Sequence, residues 1–154
     1  MTDQSSAPAG KGDGRELLGC TCARLRKVTR RVTQIYDRHI EPTGLTGAQF
    51  SLLAPLNARA SMSIGAFADF VVTDPTTLTR NLVPLQRDGY VKIAPDPEDR
   101  RRRIVSITTK GRRTFQEALP AWRKAQEELA ATLGEAGIAQ LNGALVQTLD
   151  HLVK

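Results

Sequence analysis

Residues 96–110 read Asp-Pro-Glu-Asp-Arg-Arg-Arg-Arg-Ile-Val-Ser-Ile-Thr-Thr-Lys, with four consecutive arginines, Arg100 to Arg103, at the mouth of a β-patterned run. That run is Ile104 to Thr108, and a second, Tyr90 to Ala94, lies just upstream. Asp96-Pro97 between them suits a turn, so the segment reads as a hairpin with a cationic tip. Asp99 stands close enough to pair with Arg101 or Arg103 and brace that tip, leaving the other guanidiniums free. Arginine grips phosphate bidentately and enters narrow minor grooves, where negative potential is concentrated.

The charge is unevenly placed. The chain of 154 residues carries a formal net charge of +6. Between Val91 and Arg113 eight basic residues face three acidic ones, a local net of +5. Arg24, Arg26, Lys27, Arg30 and Arg31 form a second cluster, which an ordinary solvated helix face would also explain. Clustered positive charge points to a polyanionic partner. With 40% hydrophobic content, the chain is large enough for one domain with a real core.

Upstream of the hairpin the pattern is helical. Leu18, Cys22, Leu25, Thr29, Val32 and Tyr36 recur in alternating four- and three-residue steps, predicting a helix from about Arg15 to about Ile40. Pro42 and Gly44 end it. Thr46 and Gln49 have capping-box spacing, and Leu45 with Phe50 that of a hydrophobic staple, opening a second helix that Pro55 should bend or end. Ser63 can cap a third helix bearing Ile64, Phe67, Ala68 and Val71. Asp74-Pro75 begins a fourth, since Pro75 pushes Asp74 toward the extended backbone of an N-cap, and Gly89 closes it. Two short helices across a tight turn are a helix-turn-helix.

The fourth helix divides by face. At about 100° per residue Leu78, Leu82 and Leu85 fall together toward the core. Thr76, Thr77, Arg80 and Pro84 fall opposite, with Thr79 and Asn81 at the margins. Hydroxyls, an arginine and an amide can read base edges and hold phosphates, although any amphipathic helix has a polar outer face. Pro84 should kink the last turn. A helix-turn-helix followed at once by a basic hairpin is a winged helix, and the combination is far more specific than either part.

Beyond about Thr109 the chain turns helical again. Phe115, Leu119, Trp122, Gln126, Leu129 and Leu133 follow coiled-coil spacing, with Pro120 expected to bend the helix. Gly134 and Gly137 mark a break before a last stripe of Ile138, Leu141, Leu145, Leu149 and Leu152. The fold class is therefore mainly α with a small β-hairpin wing. Residues 1–14 read as a disordered tail and 15–154 as one domain, its DNA-binding lobe spanning about 46–112. Helices 15–40 and 109–153 exceed what a small DNA reader needs and predict a homodimer, with packing inside one subunit as the alternative.

At this point the sequence resembles the MarR family of transcriptional regulators, from about Leu17 to the C-terminus. The resemblance rests on Gly44-Leu45-Thr46-Gly47-Ala48-Gln49-Phe50 and on Thr76-Thr77-Leu78-Thr79-Arg80-Asn81-Leu82 with Gly89-Tyr90-Val91. It also rests on Asp96-Pro97-Glu98-Asp99-Arg100-Arg101 leading into Ile107-Thr108-Thr109-Lys110-Gly111. It implies a homodimer of winged helices on pseudo-palindromic double-stranded DNA, usually a repressor. Thr76, Thr77, Arg80 and Asn81 would face the major groove. Asp99 and Arg101 would be the wing pair, with Arg101 aimed into the minor groove and Arg100, Arg102 and Arg103 beside it. It further implies a pocket between the first two helices and the DNA-binding lobe for a small aromatic or phenolic inducer.

Counted back from Thr46, Cys22 matches the reactive cysteine of the organic-hydroperoxide-sensing branch of that family, and Tyr36 one of the two tyrosines that hydrogen-bond it. The other tyrosine position is Arg26 here, a departure from that branch whose charge could still favour a thiolate. Cys22 also lies between Leu18 and Leu25 on the apolar stripe, where a buried structural cysteine is ordinary. Cys20, about 200° around the same helix, is not expected to bond to Cys22.

Other classes find little support. No glycine-rich phosphate loop or paired metal-ligand motif is present, and His39 and His151 are far apart, so neither enzyme, cofactor nor metal is expected. No stretch approaches the ~20 apolar residues of a membrane span. Two close cysteines make no disulfide framework, so the cytoplasm is the expected compartment. A winged helix that grips DNA without sequence preference remains the rival within the binding class.

Overall fold

The computed structural model describes residues 19–152; the expected tail and the first residues assigned to the opening helix lie outside them. Helix α1 spans Thr21–Ile40, a 3-10 turn Glu41–Thr43, and α2 Gly47–Arg59. Strand β1 (Ser61–Ser63) leads into α3 (Ile64–Phe70) and α4 (Pro75–Arg87). Strands β2 (Val91–Pro95) and β3 (Arg103–Ile107) form the hairpin, and α5 (Thr109–Leu152) closes the chain.

The helix starts behave as their residues dictate. Thr46 accepts from Gln49 N at 3.1 Å while Gln49 Oε1 accepts from Thr46 N at 2.9 Å, a complete capping box. Leu45 and Phe50 are both buried, as a staple requires. Ser63 caps α3 through Ala66 N, and Asp74 caps α4 with Pro75 in the first turn. Neither internal proline stops its helix: α2 continues four residues past Pro55 and α4 three past Pro84.

The hairpin pairs Val91 with Ile107 through to Pro95 with Arg103, so the first strand lies one residue later than the Tyr90–Ala94 pattern and the second one residue earlier than the Ile104–Thr108 pattern. Strand β1 pairs with the other edge of β3, Met62 opposite Val105, giving a three-stranded antiparallel sheet in the order β1-β3-β2. The core lies between this sheet, the helix-turn-helix and α5. Leu53, Leu56, Phe67, Leu78, Leu82, Leu85 and Val105 are fully buried there, each adding roughly 1.5–3 kcal/mol of transfer free energy.

One short motif joins the wing to α5. Thr108 Oγ1 donates to Gly89 O at 2.7 Å and accepts from Gly111 N at 3.0 Å, while Thr108 N donates to Tyr90 O at 3.0 Å. Gly111 is buried against Tyr90, and a Cβ there would overlap the Tyr90 carbonyl. The run from Ile107 to Gly111 thus seats α5 directly on the base of the hairpin.

Two expectations about the long helices change. The α1 stripe is divided: Val32 and Tyr36 are half-buried, whereas Cys22 and Thr29 are exposed and Leu25 is 43% exposed. Cys22 is therefore not packed into the core formed by the described residues, none of which cover the start of α1. Cys20 sits outside the helix in extended backbone, so its helical offset from Cys22 does not apply. The Phe115–Leu129 seam of α5 packs within the chain, against α1 and α2, as the single-subunit alternative has it. Gly134, at φ 74° and ψ 158°, breaks α5 where glycine was expected to. Leu133 before it, and Leu145, Val146, Leu149 and Leu152 beyond it, are exposed.

Candidate nucleic-acid interface

Helix α4 is held from beneath and capped from behind. Leu78, Leu82 and Leu85 have no exposed area, which fixes the helix about its axis and turns Thr76, Thr77, Thr79, Arg80 and Asn81 to solvent. Asp74 Oδ1 accepts from Thr77 N at 2.8 Å and Oδ2 from the Thr77 hydroxyl at 2.6 Å. The Thr77 hydroxyl, followed by the backbone amides, holds the Asp74 carboxyl below its ordinary range. The Thr79 hydroxyl donates to Pro75 O at 2.7 Å.

These contacts sort the outer face chemically. Thr77 and Thr79 commit their hydroxyl protons to Asp74 and to the Pro75 carbonyl within the helix. Among the described residues, the side chains of Thr76, Arg80 and Asn81 make no hydrogen bond and remain available as donors and acceptors. Pro84 does not stand opposite the core: it is half-buried and, with Arg80 and Asn81, borders a recess walled by Thr46 and Gln49 of α2.

The wing tip is braced differently from the expected guanidinium pair. Asp99 Oδ1 accepts from the backbone N–H of Arg101 at 3.0 Å, and Asp99 O from Arg102 N at 2.9 Å. Asp96 adds a second turn by accepting from Glu98 N at 2.9 Å. Among the described residues no Asp99–arginine ion pair forms, because the carboxylate reaches the nearer main-chain donor. All four guanidiniums, Arg100 to Arg103, are exposed. Arg101, Arg102 and Arg103 border a recess with Ser63, Gly65 and Asp69 around the start of α3.

Behind this face lies a cavity of about 770 Å³ between α1, α2 and α5, a region sequence reasoning placed only through family resemblance. Phe50 stacks on Phe115 at 4.7 Å and lies 6.5 Å from the Trp122 ring. These rings, with Tyr36, Phe70 and Leu119, make it largely apolar. Burial pushes the Tyr36 phenol above its usual range, with the Gln126 side chain opposing. Asp37 lines the cavity and accepts from Gly47 N at 3.1 Å, joining α1 to the first residue of α2.

The cysteines fall elsewhere. Cys20 and Cys22 border a shallow recess with Arg26, Lys27 and Arg30. Tyr36 lies 14 residues along the same helix from Cys22, about 21 Å away at helical rise, so the two cannot meet within one chain. Among the described residues no cluster of His, Cys, Asp and Glu could hold a metal ion, and no helix is long and apolar enough to cross a membrane.

A helix-turn-helix with an arginine-tipped hairpin beside it defines a winged-helix protein, mainly α with a small antiparallel sheet. The chain belongs to the MarR family of transcriptional regulators. The sequence signature of that family matches residues 45–102. The chain is 30% identical over 143 residues to the transcriptional activatory protein BadR of Rhodopseudomonas palustris, covering 90% of this chain and 78% of that protein. It is 28% identical over 128 residues to the transcriptional repressor IacR of Pseudomonas putida, covering 83% and 77%. The transcriptional regulator MOSR of M. tuberculosis, solved in complex with DNA, superposes with a TM-score of 0.74 at 34% identity, over 86% of this chain and 98% of that one. These relatives are regulators, not enzymes.

Proposed function

We propose that this protein is a homodimeric, cytoplasmic, sequence-reading DNA-binding repressor released by a small aromatic or phenolic ligand. The observation that carries the reading is the capped α4, clamped by three buried leucines with Thr76, Arg80 and Asn81 free on its outer face. Arg80 and Asn81 suit guanine and adenine edges in the major groove, and the methyls of Thr77 and Thr79 suit thymine. Thr76 is placed for a phosphate or a base edge at the helix start. Asp99 sets the backbone of the wing so that Arg101 enters the minor groove, with Arg100, Arg102 and Arg103 on the flanking phosphates.

Dimerisation is supported by apolar surface that the described residues leave open: Leu25 and Val28 of α1, with Leu145, Val146, Leu149 and Leu152 of α5, are exposed. A second copy covering them would present two α4 helices to half-sites about one DNA turn apart. Repression needs only occupancy of a promoter. BadR is named an activator and IacR a repressor, so relatives of this chain act with either sign. A ligand in the cavity between α1, α2 and α5 would favour the dimer form whose α4 helices are wrongly spaced.

Selection from a random DNA library tests the reading. A two-fold symmetric motif with half-sites one turn apart supports it, and failure to enrich any motif contradicts it. A second reading, release by peroxide through Cys22, is favoured by the three cationic side chains around the two thiols. Loss of DNA binding on peroxide treatment in the native protein, but not in Cys22→Ser, would support it.

A further inference from the structure

We propose that the cavity between α1, α2 and α5 selects positively charged aromatic molecules. The inference rests on the reading of this cavity as the ligand site and assigns it a charge class. Among the described residues Asp37 is the one charged side chain lining it; its other polar side-chain groups are the hydroxyls of Thr33, Tyr36 and Ser51 and the indole N–H of Trp122, and the rest are apolar.

Neighbouring cations do not line the cavity; Arg31 and Arg38 border a separate recess that Asp37 shares. Arg38 and His39, next to Asp37 in sequence, both bind Glu128 of α5, at 2.6 and 2.8 Å. Arg59 lies 5.0 Å over the Phe70 ring at the border of the cavity and does not line it. Asp37 Oδ1 takes the Gly47 N–H, which leaves Oδ2 without a hydrogen-bond donor among the described residues.

An aromatic carboxylate entering here would lose its hydration, meet no compensating cation among the described lining residues and face a like charge. A cation would meet a carboxylate group and the half-buried rings of Tyr36 and Trp122, the combination that recognises ammonium groups through ring quadrupoles. The volume of about 770 Å³ accommodates a substituted single- or double-ring molecule. Because Asp37 also holds the first residue of α2, a cation drawn to it acts on the joint between α1 and the DNA-facing lobe.

Isothermal titration of the full chain with benzyltrimethylammonium, benzyl alcohol and benzoate tests this. The cation is expected to bind tighter than either of the others by about tenfold or more. Asp37→Asn keeps an acceptor for Gly47 and is expected to erase that margin while still binding benzyl alcohol. The three-probe comparison in the native protein stands even if that variant fails to fold. Benzoate or benzyl alcohol binding as tightly as the cation overturns the charge assignment and leaves the ligand site standing, as does an unchanged margin in Asp37→Asn. No binding of any probe overturns both.

Discussion

His39 Nε2 donates to Glu128 Oε2 at 2.8 Å, while Arg38 holds the other oxygen of the same carboxylate at 2.6 Å, so one acid on α5 clasps two consecutive residues of α1. The His39 hydrogen bond, then the charge of Arg38, holds the Glu128 carboxyl below its ordinary value of 4.5. A carboxyl with a depressed folded-state pKa adds stability that is fully present above its unfolded value and lost as pH falls through the folded one. Thermal melts of the native protein and Glu128→Gln should therefore differ above the ordinary carboxyl value of 4.5 and converge as the pH falls below it through the lowered one. An equal gap at both ends of that range would show that the clasp does not titrate as described.

Val72 occupies the left-handed region at φ 55°, in the turn between α3 and α4, with 64% of its surface exposed. A β-branched residue there costs about 1–2 kcal/mol, and glycine would return about 0.5–1 kcal/mol of that through chain entropy. Val72→Gly should leave the protein equally stable or up to about 1 kcal/mol more stable in urea denaturation. A clear loss of stability would mean that the Val72 side chain contributes packing despite its exposure.

Gly111 presents the opposite case. Its Cα lies against the Tyr90 backbone, which cannot yield as a flexible side chain would. Gly111→Ala should lower stability by about 3 kcal/mol or more, because either α5 or the base of the wing must shift. Near-native urea denaturation of that variant would show the joint to be loose.

Much of the DNA-facing lobe was legible because short-range chemistry decided it. The Thr46–Gln49 box, Asp74-Pro75 and the leucines of α4 each specify a local geometry that tertiary packing did not override. Strand β1 was not legible: Ser61, Met62 and Ser63 become a strand only by lying beside β3, a long-range pairing with no local signature. The Asp99 contact was legible in position and not in partner, since charge pairing competes with a nearer main-chain N–H that sequence does not display. Cys22 was misplaced on the buried stripe because periodicity identifies an apolar face and not what covers it. The cavity escaped residue-level reading for a related reason. Its walls come from four helices separated by many residues, and only Asp37, an acid at a helix junction, hints at it.

The account centres on α4 reading base sequence, and Arg80 is its most exposed test. Fluorescence-anisotropy titrations at near-physiological salt should compare native protein and Arg80→Ala on DNA from upstream of its own gene, or on the selected motif, and on random DNA. Native protein should prefer the specific DNA by roughly 10³-fold or more. Arg80→Ala should lose about 1–3 kcal/mol on the specific site and much less on random DNA. Equal affinity of the native protein for both DNAs, or equal losses on both for Arg80→Ala, would contradict the account and leave a winged helix that grips phosphates without reading bases.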